Sequence, residues 1–321
     1  MSTRADDLID RRRLRRKLTF WRAAALLVLA LAIIAAGRWV FGDTLAAGPH
    51  IAQVRVEGTI LEDKDLLDLL EDVRESNAVR GVILTVDSPG GTTAGGEAIY
   101  DAIRRLADAK PVVAQVGTLA ASAGYMVASA ADHIVARQTS IVGSIGVIIQ
   151  YPEVSELLNK LGVKVEEVKS SPLKAEPSPF NPTTDAERQM LAAMISDSYN
   201  WFVDLISERR RLPRDQVLTL ADGSIFTGRQ ALERKLVDAL GGEREAQAWL
   251  TAQGLSADLE VVEWKPRNSN GSILFPTSAA EWLGSMLGLS QRGVLDRLGM
   301  EHIFLDGLMS LWQPEKAGLQ K

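Results

Sequence analysis

GVILTVDSPGG, Gly81–Gly91, runs through apolar and β-branched residues without alternation and then breaks into a polar, glycine-rich turn. That is the form of a strand buried on both faces, as in a parallel sheet covered by helices. The flanks keep the same grammar. IAQVRVEGTI (Ile51–Ile60) alternates apolar and polar residues as a strand does, and DLLDLLEDVRE (Asp65–Glu75) sets leucines at helical spacing with acids opposite. On the other side, Glu97–Ala109 reads as a second amphipathic helix and PVVAQVG (Pro111–Gly117) as another buried strand. ASAGYMVASAA (Ala121–Ala131) reads as a helix and HIVARQ (His133–Gln138) as a short strand. Strands and helices in alternation predict an α/β fold with right-handed crossovers over a mostly parallel sheet.

Further along, KSSPLKAEPSPFNPTT (Lys169–Thr184) carries four prolines and predicts a loop. Thr184-Asp185 caps a long helix whose apolar face holds Met190, Ala193, Tyr199, Phe202, Val203 and Ile206. DGSIFTGRQALERKLVDALGG (Asp222–Gly242) is a strand, a turn and a helix closed by glycine. KPRNSNGS after Trp264 predicts a break, and residues 272–321 contain short amphipathic pieces such as HIFLDGLMSLW. The expected organisation is a basic segment at 1–18, an apolar anchor at 19–41, a linker at 42–50, a folded domain at 51–264 and an amphipathic tail at 265–321.

The anchor rests on composition. RRRLRRK (Arg11–Lys17) precedes TFWRAAALLVLALAIIAAGRWVF (Thr19–Phe41), with aromatic residues at both ends and arginines able to snorkel. Its 23 residues would span about 34 Å as a helix at roughly 1.5 Å each. A cleaved signal peptide competes with this reading, since TLAAG follows at Thr44–Gly48, but no small-residue cleavage site abuts the apolar run. Either reading leaves the N-terminus cytoplasmic and the body on the outer face of the membrane. Beyond residue 42 the chain has 27 basic against 38 acidic residues, a balance of −11 that argues against nucleic-acid binding. The absence of cysteine removes disulfides, thiolate nucleophiles and cysteine-ligated zinc.

Chemistry-bearing residues are few. The adjacent glycines of DSPGG could turn backbone N–H groups toward an anion at the carboxyl edge of a parallel sheet, although no GK[ST] follows to make a phosphate loop. Ser122 in TLAASAGYMVASAAD sits among small residues where a strand hands over to a helix. There its own N–H would suit an oxyanion; equally, small residues let a helix pack tightly. A nucleophilic serine needs a base. His50 falls in the linker, His302 in the tail and His133 at the start of a strand, so a Ser-His-Asp triad is poorly supported. Lysine remains, provided that desolvation lowers its pKa from about 10.4. Lys174, in a proline-stiffened loop, is a candidate; a solvated loop lysine is the plain alternative.

GVILTVDSPGG, GTLAASAGYMVASAADHIVA, TSIVGSIGVI, KSSPLKAEPSPF and DGSIFTGRQALERKLVDALGG follow in order with short gaps. Together they resemble the short, single-domain bacterial form of the signal peptide peptidase A (SppA) family, over about residues 50–245. The resemblance implies a ClpP/crotonase-like fold of repeated β-β-α units behind one N-terminal transmembrane helix. It implies a serine endopeptidase with Ser122 as nucleophile, Lys174 as general base 52 positions later, and Ser144 as the hydroxyl that orients the lysine. The oxyanion hole would combine the amide of Gly90 or Gly91 with that of Ala123, next to Ser122. No metal and no cofactor are implied. Serine and lysine of one site would come from neighbouring subunits of a homo-oligomeric ring on the membrane, and the substrates would be signal peptides left there after secretion. The loop reads KSSPLK where the family shows a glycine-bearing KSG start, which keeps Lys169 as a second candidate base. The tail from about residue 265 exceeds the family core and could lie on the membrane, cover the ring or enter the active sites. A crotonase-type acyl-CoA enzyme and a catalytically silent membrane scaffold are the rival readings.

Overall fold

The computed structural model of the chain describes residues 20–31, 48–266 and 309–311. The chain divides into two compact units, Met1–Gly48 and Pro49–Lys321. In the first, helix α1 (residues 20–31) exposes Phe20, Trp21, Leu26, Leu27 and Leu31. Among the described residues no helix is long and apolar enough to cross a membrane, and the remainder of the expected 19–41 anchor lies outside them.

The second unit is a mixed α/β structure around one sheet. Its order is β6 (Ile225–Thr227), β5 (Ile141–Gly143), β3 (Val112–Ala121), β2 (Val79–Thr92), β1 (His50–Ile60) and β8 (Val261–Glu263). Short strands β4 (His133–Ala136) and β7 (Ala239–Leu240) continue from the first half of β3, and β9 (Met309–Leu311) joins β2. The central strands are parallel and are joined by α2 (Lys64–Glu75) and α3 (Thr93–Ala107). The unbroken apolar run of β2 has a direct cause. Val82, Leu84 and Val86 face the main core under the helices, while Ile83 faces a smaller core with Ile51, Val113, Val135 and Leu250 of α9 (Glu243–Ala252). Each such side chain contributes roughly 1.5–3 kcal/mol on burial.

The structure departs from the sequence reading at DSPGG. Instead of turning, β2 continues to Thr92, with Gly90 and Gly91 opposite Thr59 and Ile60 of β1. Gly90 absorbs the bend at φ 106°, and a Cβ on Gly91 would lie 1.8 Å from the Ile60 carbonyl oxygen. Helix α3 therefore begins at Thr93, four residues earlier than its apolar periodicity suggests, with the Thr92 side chain accepting the Gly95 N–H (3.2 Å).

Helix α4 (Ala123–Ser129) is wholly buried. Arg209 of α6 (Asp185–Arg210) donates to the carbonyls of Ser129 and Ala131 (3.0 Å each), and Arg104 of α3 donates to that of Ala130 (2.6 Å). These two guanidiniums satisfy carbonyls that a buried helix end would otherwise leave without partners. Thr184 caps α6 as the sequence suggested, and the structure adds Glu187 to complete a capping box. Only its second half, with Phe202, Val203, Leu205 and Ile206, enters the core; Ala193 and Met194 are exposed. Before α6, an arm at residues 147–183 has one regular element, α5 (Ser155–Lys160), and exposes Leu157, Leu161, Val163, Val165, Leu173 and Phe180.

Candidate active site

Strand β3 changes partners midway, and this break builds the site. Val113–Val116 pair with His133–Ala136 of β4, and Leu119–Ala121 pair with Ile141–Gly143 of β5. At the break the Asp87 carboxylate accepts the N–H groups of Thr118 (3.3 Å) and Leu119 (3.1 Å). The strand then ends at Ala121, and α4 starts at Ala123.

Ser122 is the junction residue, 1% exposed, at φ 58° and ψ −122°. A non-glycine residue holds such a conformation at a cost of roughly 1–3 kcal/mol, and functional sites are where such strain concentrates. Its carbonyl accepts from Tyr125 and Met126, opening α4, while its N–H donates to the Gly143 carbonyl at 2.8 Å. The amide that the sequence suggested for an oxyanion is thus already bonded, because the β3–β5 ladder extends one residue past Ala121. The next amide on the helix is that of Ala123.

Ser144 directly follows β5, so the Ala121–Gly143 pairing sets it at the same sheet edge as Ser122. It too is left-handed, at φ 51°, with its N–H on the Ser224 carbonyl (2.7 Å). On the other flank, β2 pairs Ser88 with Ala120 and runs on through Gly90 and Gly91. Three adjacent strands therefore deliver Ser122, Ser144 and the glycine pair to one carboxyl edge, where open parallel sheets bind ligands.

The sequence reading missed Asp87 and Ser88. Buried Ser88 donates its hydroxyl to the Gly58 carbonyl (2.6 Å) and accepts the Gly90 N–H (3.1 Å). Two polar residues closing an apolar run were the available signal. The small residues around Ser122 also serve packing: a Cβ on Gly124 would sit 2.7 Å from the Ser88 carbonyl oxygen.

Beyond Ser88 the edge of β2 is no longer held by β3. There β9 pairs antiparallel with it, Gly90 opposite Leu311, Gly91 opposite Ser310 and Thr92 opposite Met309. An extended segment of the tail thus lies as an added strand along the glycine pair.

Lys174 belongs to the arm and not to a strand of this edge. It lies in a turn at residues 171–175 of the arm, exposed, with its N–H on the Ser171 carbonyl (3.2 Å). Among the described residues its amine has no hydrogen-bond or ion-pair partner. Lys169 differs: its amine is sandwiched between Glu167 (2.6 Å) and Glu176, which hold it protonated by raising its pKa. The described histidines are remote. His50 and His133 start β1 and β4 at the amino-terminal edge, about 30 Å or more along β3 from Ser122 at roughly 3.3 Å per residue. His302 lies outside the described residues.

A polar cleft of about 450 Å³, lined by Gln53, Arg55, Thr85, Asp87, Thr118 and Arg137, reaches the break in β3 but is not lined by Ser122, Ser144 or Lys174. Among the described residues no group of side chains could hold a metal ion.

A family model described as peptidase family S49 matches residues 104–256, which include Ser122, Ser144 and Lys174. A protein of Methanocaldococcus jannaschii named "Putative protease" is 38% identical over 205 residues, covering 64% of this chain and 66% of its own length. Another of that name from Synechocystis is 39% identical over 247 residues, covering 75% and 88%. A protein of Enterococcus faecium named "Putative signal peptide peptidase SppA" is 33% identical over 246 residues, covering 74% and 70%.

Proposed function

The chain belongs to peptidase family S49, and from that membership we propose that it is a membrane-anchored serine endopeptidase acting through a Ser122/Lys174 dyad on a ClpP/crotonase-like scaffold. The observation that carries the reading is Ser122 itself. It is a strained, buried serine at a strand-to-helix junction, beside a β2 edge that accepts an antiparallel strand. A peptide bound as β9 is bound would run past that serine with its backbone paired to Gly90–Thr92.

In this reading the Ser122 hydroxyl attacks the scissile carbonyl and passes its proton to the neutral amine of Lys174. The developing oxyanion takes the amides of Gly91 and Ala123, the Gly90 N–H being held by the Ser88 hydroxyl, and Ser144 holds the lysine amine. The lysine then protonates the leaving amine, and water releases the acyl group by the same route. Lys174, exposed at the end of an apolar arm, reaches the Ser122 of a neighbouring subunit in a homo-oligomeric ring. The expected anchor over residues 19–41, to which the exposed apolar residues of α1 belong, keeps the catalytic unit at the outer membrane face. Remnant signal peptides, being apolar and membrane-bound, are the substrates that fit this place.

The test is cleavage of an apolar fluorogenic peptide by the full chain in detergent. Ser122→Ala and Lys174→Ala are each expected to lose on the order of 10⁴-fold or more in kcat/KM. Full activity in either variant rejects the dyad, and no cleavage by the wild type leaves only a scaffold.

A further inference from the structure

The arm holds an ionic cluster that the dyad does not use. Lys169 and Glu176 stand on either side of the turn that carries Lys174, and their side chains, 16% and 7% exposed, meet in an ion pair. Glu167 adds its carboxylate to Lys169 at 2.6 Å and accepts from the Asn181 side chain at 3.3 Å. The second oxygen of Glu176 accepts the Ser178 N–H, and the Ser178 hydroxyl accepts the Phe180 N–H (3.2 Å). Beyond that, the Pro179 carbonyl accepts the Val154 N–H (2.8 Å) at the start of α5. The cluster thus joins 167–169 to 176–181 and closes residues 170–175 into a loop with Lys174 near its tip.

Stability is a poor reason for such a pair. A partly exposed, solvent-screened pair adds little to stability. What the pair fixes is geometry. The loop itself has little else to hold it: Lys174 and Glu176 make single turn hydrogen bonds (3.2 and 3.4 Å), and Ala175 sits at φ 60°. A base that must meet a hydroxyl on another surface loses its advantage if it is placed even 1 Å away, at a cost on the order of 10²-fold.

We propose that Lys169 and Glu176 are positioning residues, a clamp that presets the loop so that the Lys174 amine arrives at Ser122 in register. The proposal rests on Lys174 being the base. The two carboxylates on Lys169 keep its own amine charged, which suits a clamp and not a proton acceptor.

The experiment compares Lys169→Met, Lys169→Arg, Glu176→Gln and Lys174→Ala with the wild-type full chain, reading kcat and KM separately. Melting temperature and oligomer size are read alongside. Lys169→Met and Glu176→Gln are expected to lose about 10- to 100-fold in kcat with KM within about twofold, melting and size unchanged. Lys169→Arg, whose guanidinium can meet both carboxylates but cannot act as a base, is expected to recover most of the activity. Wild-type kcat in Lys169→Met and Glu176→Gln overturns the clamp, as does a loss explained by dissociation or unfolding. Lys169→Arg as inactive as Lys169→Met also overturns it, since the amine itself would then be required. Full activity in Lys174→Ala instead removes the dyad, and the two failures are told apart by that variant alone.

Discussion

Ser122 carries its meaning in its backbone, not in its neighbours. The string of alanines around it fits a tightly packed helix equally well, and the structure uses it that way too, with Gly124 against the Ser88 carbonyl. What distinguishes the serine is φ 58° and ψ −122°, set by long-range pairing of β3 with β5, which no local sequence window contains. That is why the residue could be singled out from the sequence only by resemblance. The strain has a measurable sign. Ser122→Gly should be more stable than Ser122→Ala by about 1 kcal/mol, the relief of strain exceeding the extra entropy that glycine loses on folding. Denaturant midpoints of the two inactive variants check it, and equal midpoints would mean that the junction is not strained. Gly91 makes the converse prediction. A Cβ there lies 1.8 Å from the Ile60 carbonyl oxygen, so Gly91→Ala must separate β1 from β2 and is expected to lose about 3 kcal/mol or more along with activity. A wild-type urea midpoint for Gly91→Ala would remove the close approach on which the edge is built.

Elements were legible where one periodicity ruled. The doubly buried run of β2 declared a parallel sheet, and the Thr184 cap declared α6. The carboxyl end of β2 was not legible, because glycines that usually punctuate a strand here let it continue past its partner. The support of α4 was equally hidden, since Arg104 and Arg209 come from distant helices to bind its terminal carbonyls. Arg209→Met is therefore expected to lose about 2 kcal/mol, the value of hydrogen bonds from a charged donor to carbonyls left enclosed, measured by chemical denaturation. A change below a few tenths of a kcal/mol would show that α4 does not depend on that cap. Helix α9 offers a pH test. The Glu245 carboxylate is drawn down to about 2 from 4.5, first by the Gly242 N–H it accepts and then by Arg244. A depressed folded pKa gives stability that is fully present above pH 4.5 and is lost as pH falls toward 2. The melting difference between wild type and Glu245→Gln should accordingly be constant near neutral pH and close between about 4.5 and 2. A difference that persists at pH 2 would assign the effect to packing.

At the scale of the whole molecule, the sheet edge and the arm carry different parts of the proposed site. The edge gathers Ser122, Ser144 and the glycine pair, yet Lys174 stands in solvent on an arm whose leucines and valines have no core to enter. Apolar residues exposed along one extended segment mark a surface meant for a partner. On the proposed reading, a second copy of the chain would cover those residues and receive the base on its own Ser122. In a head-to-tail ring each protomer would lend its arm to the next, so every site would take its serine from one subunit and its lysine from another. Sequence could suggest this only through resemblance, because no spacing within a single chain reports on which chain a side chain will serve. The arrangement makes a prediction that a dyad within one protomer cannot reproduce. Ser122→Ala and Lys174→Ala, each inactive alone, should regain activity when unfolded together and reassembled. Random mixing in equal amounts leaves an intact serine beside an intact lysine at about one site in four, so roughly a quarter of wild-type kcat should return. The same mixture with Leu161→Asp in both chains, which charges one of the arm's exposed leucines, should form smaller species and stay inactive. Mixed rings of full size with no activity would reject the shared site, because every protomer would then need its own serine and its own lysine.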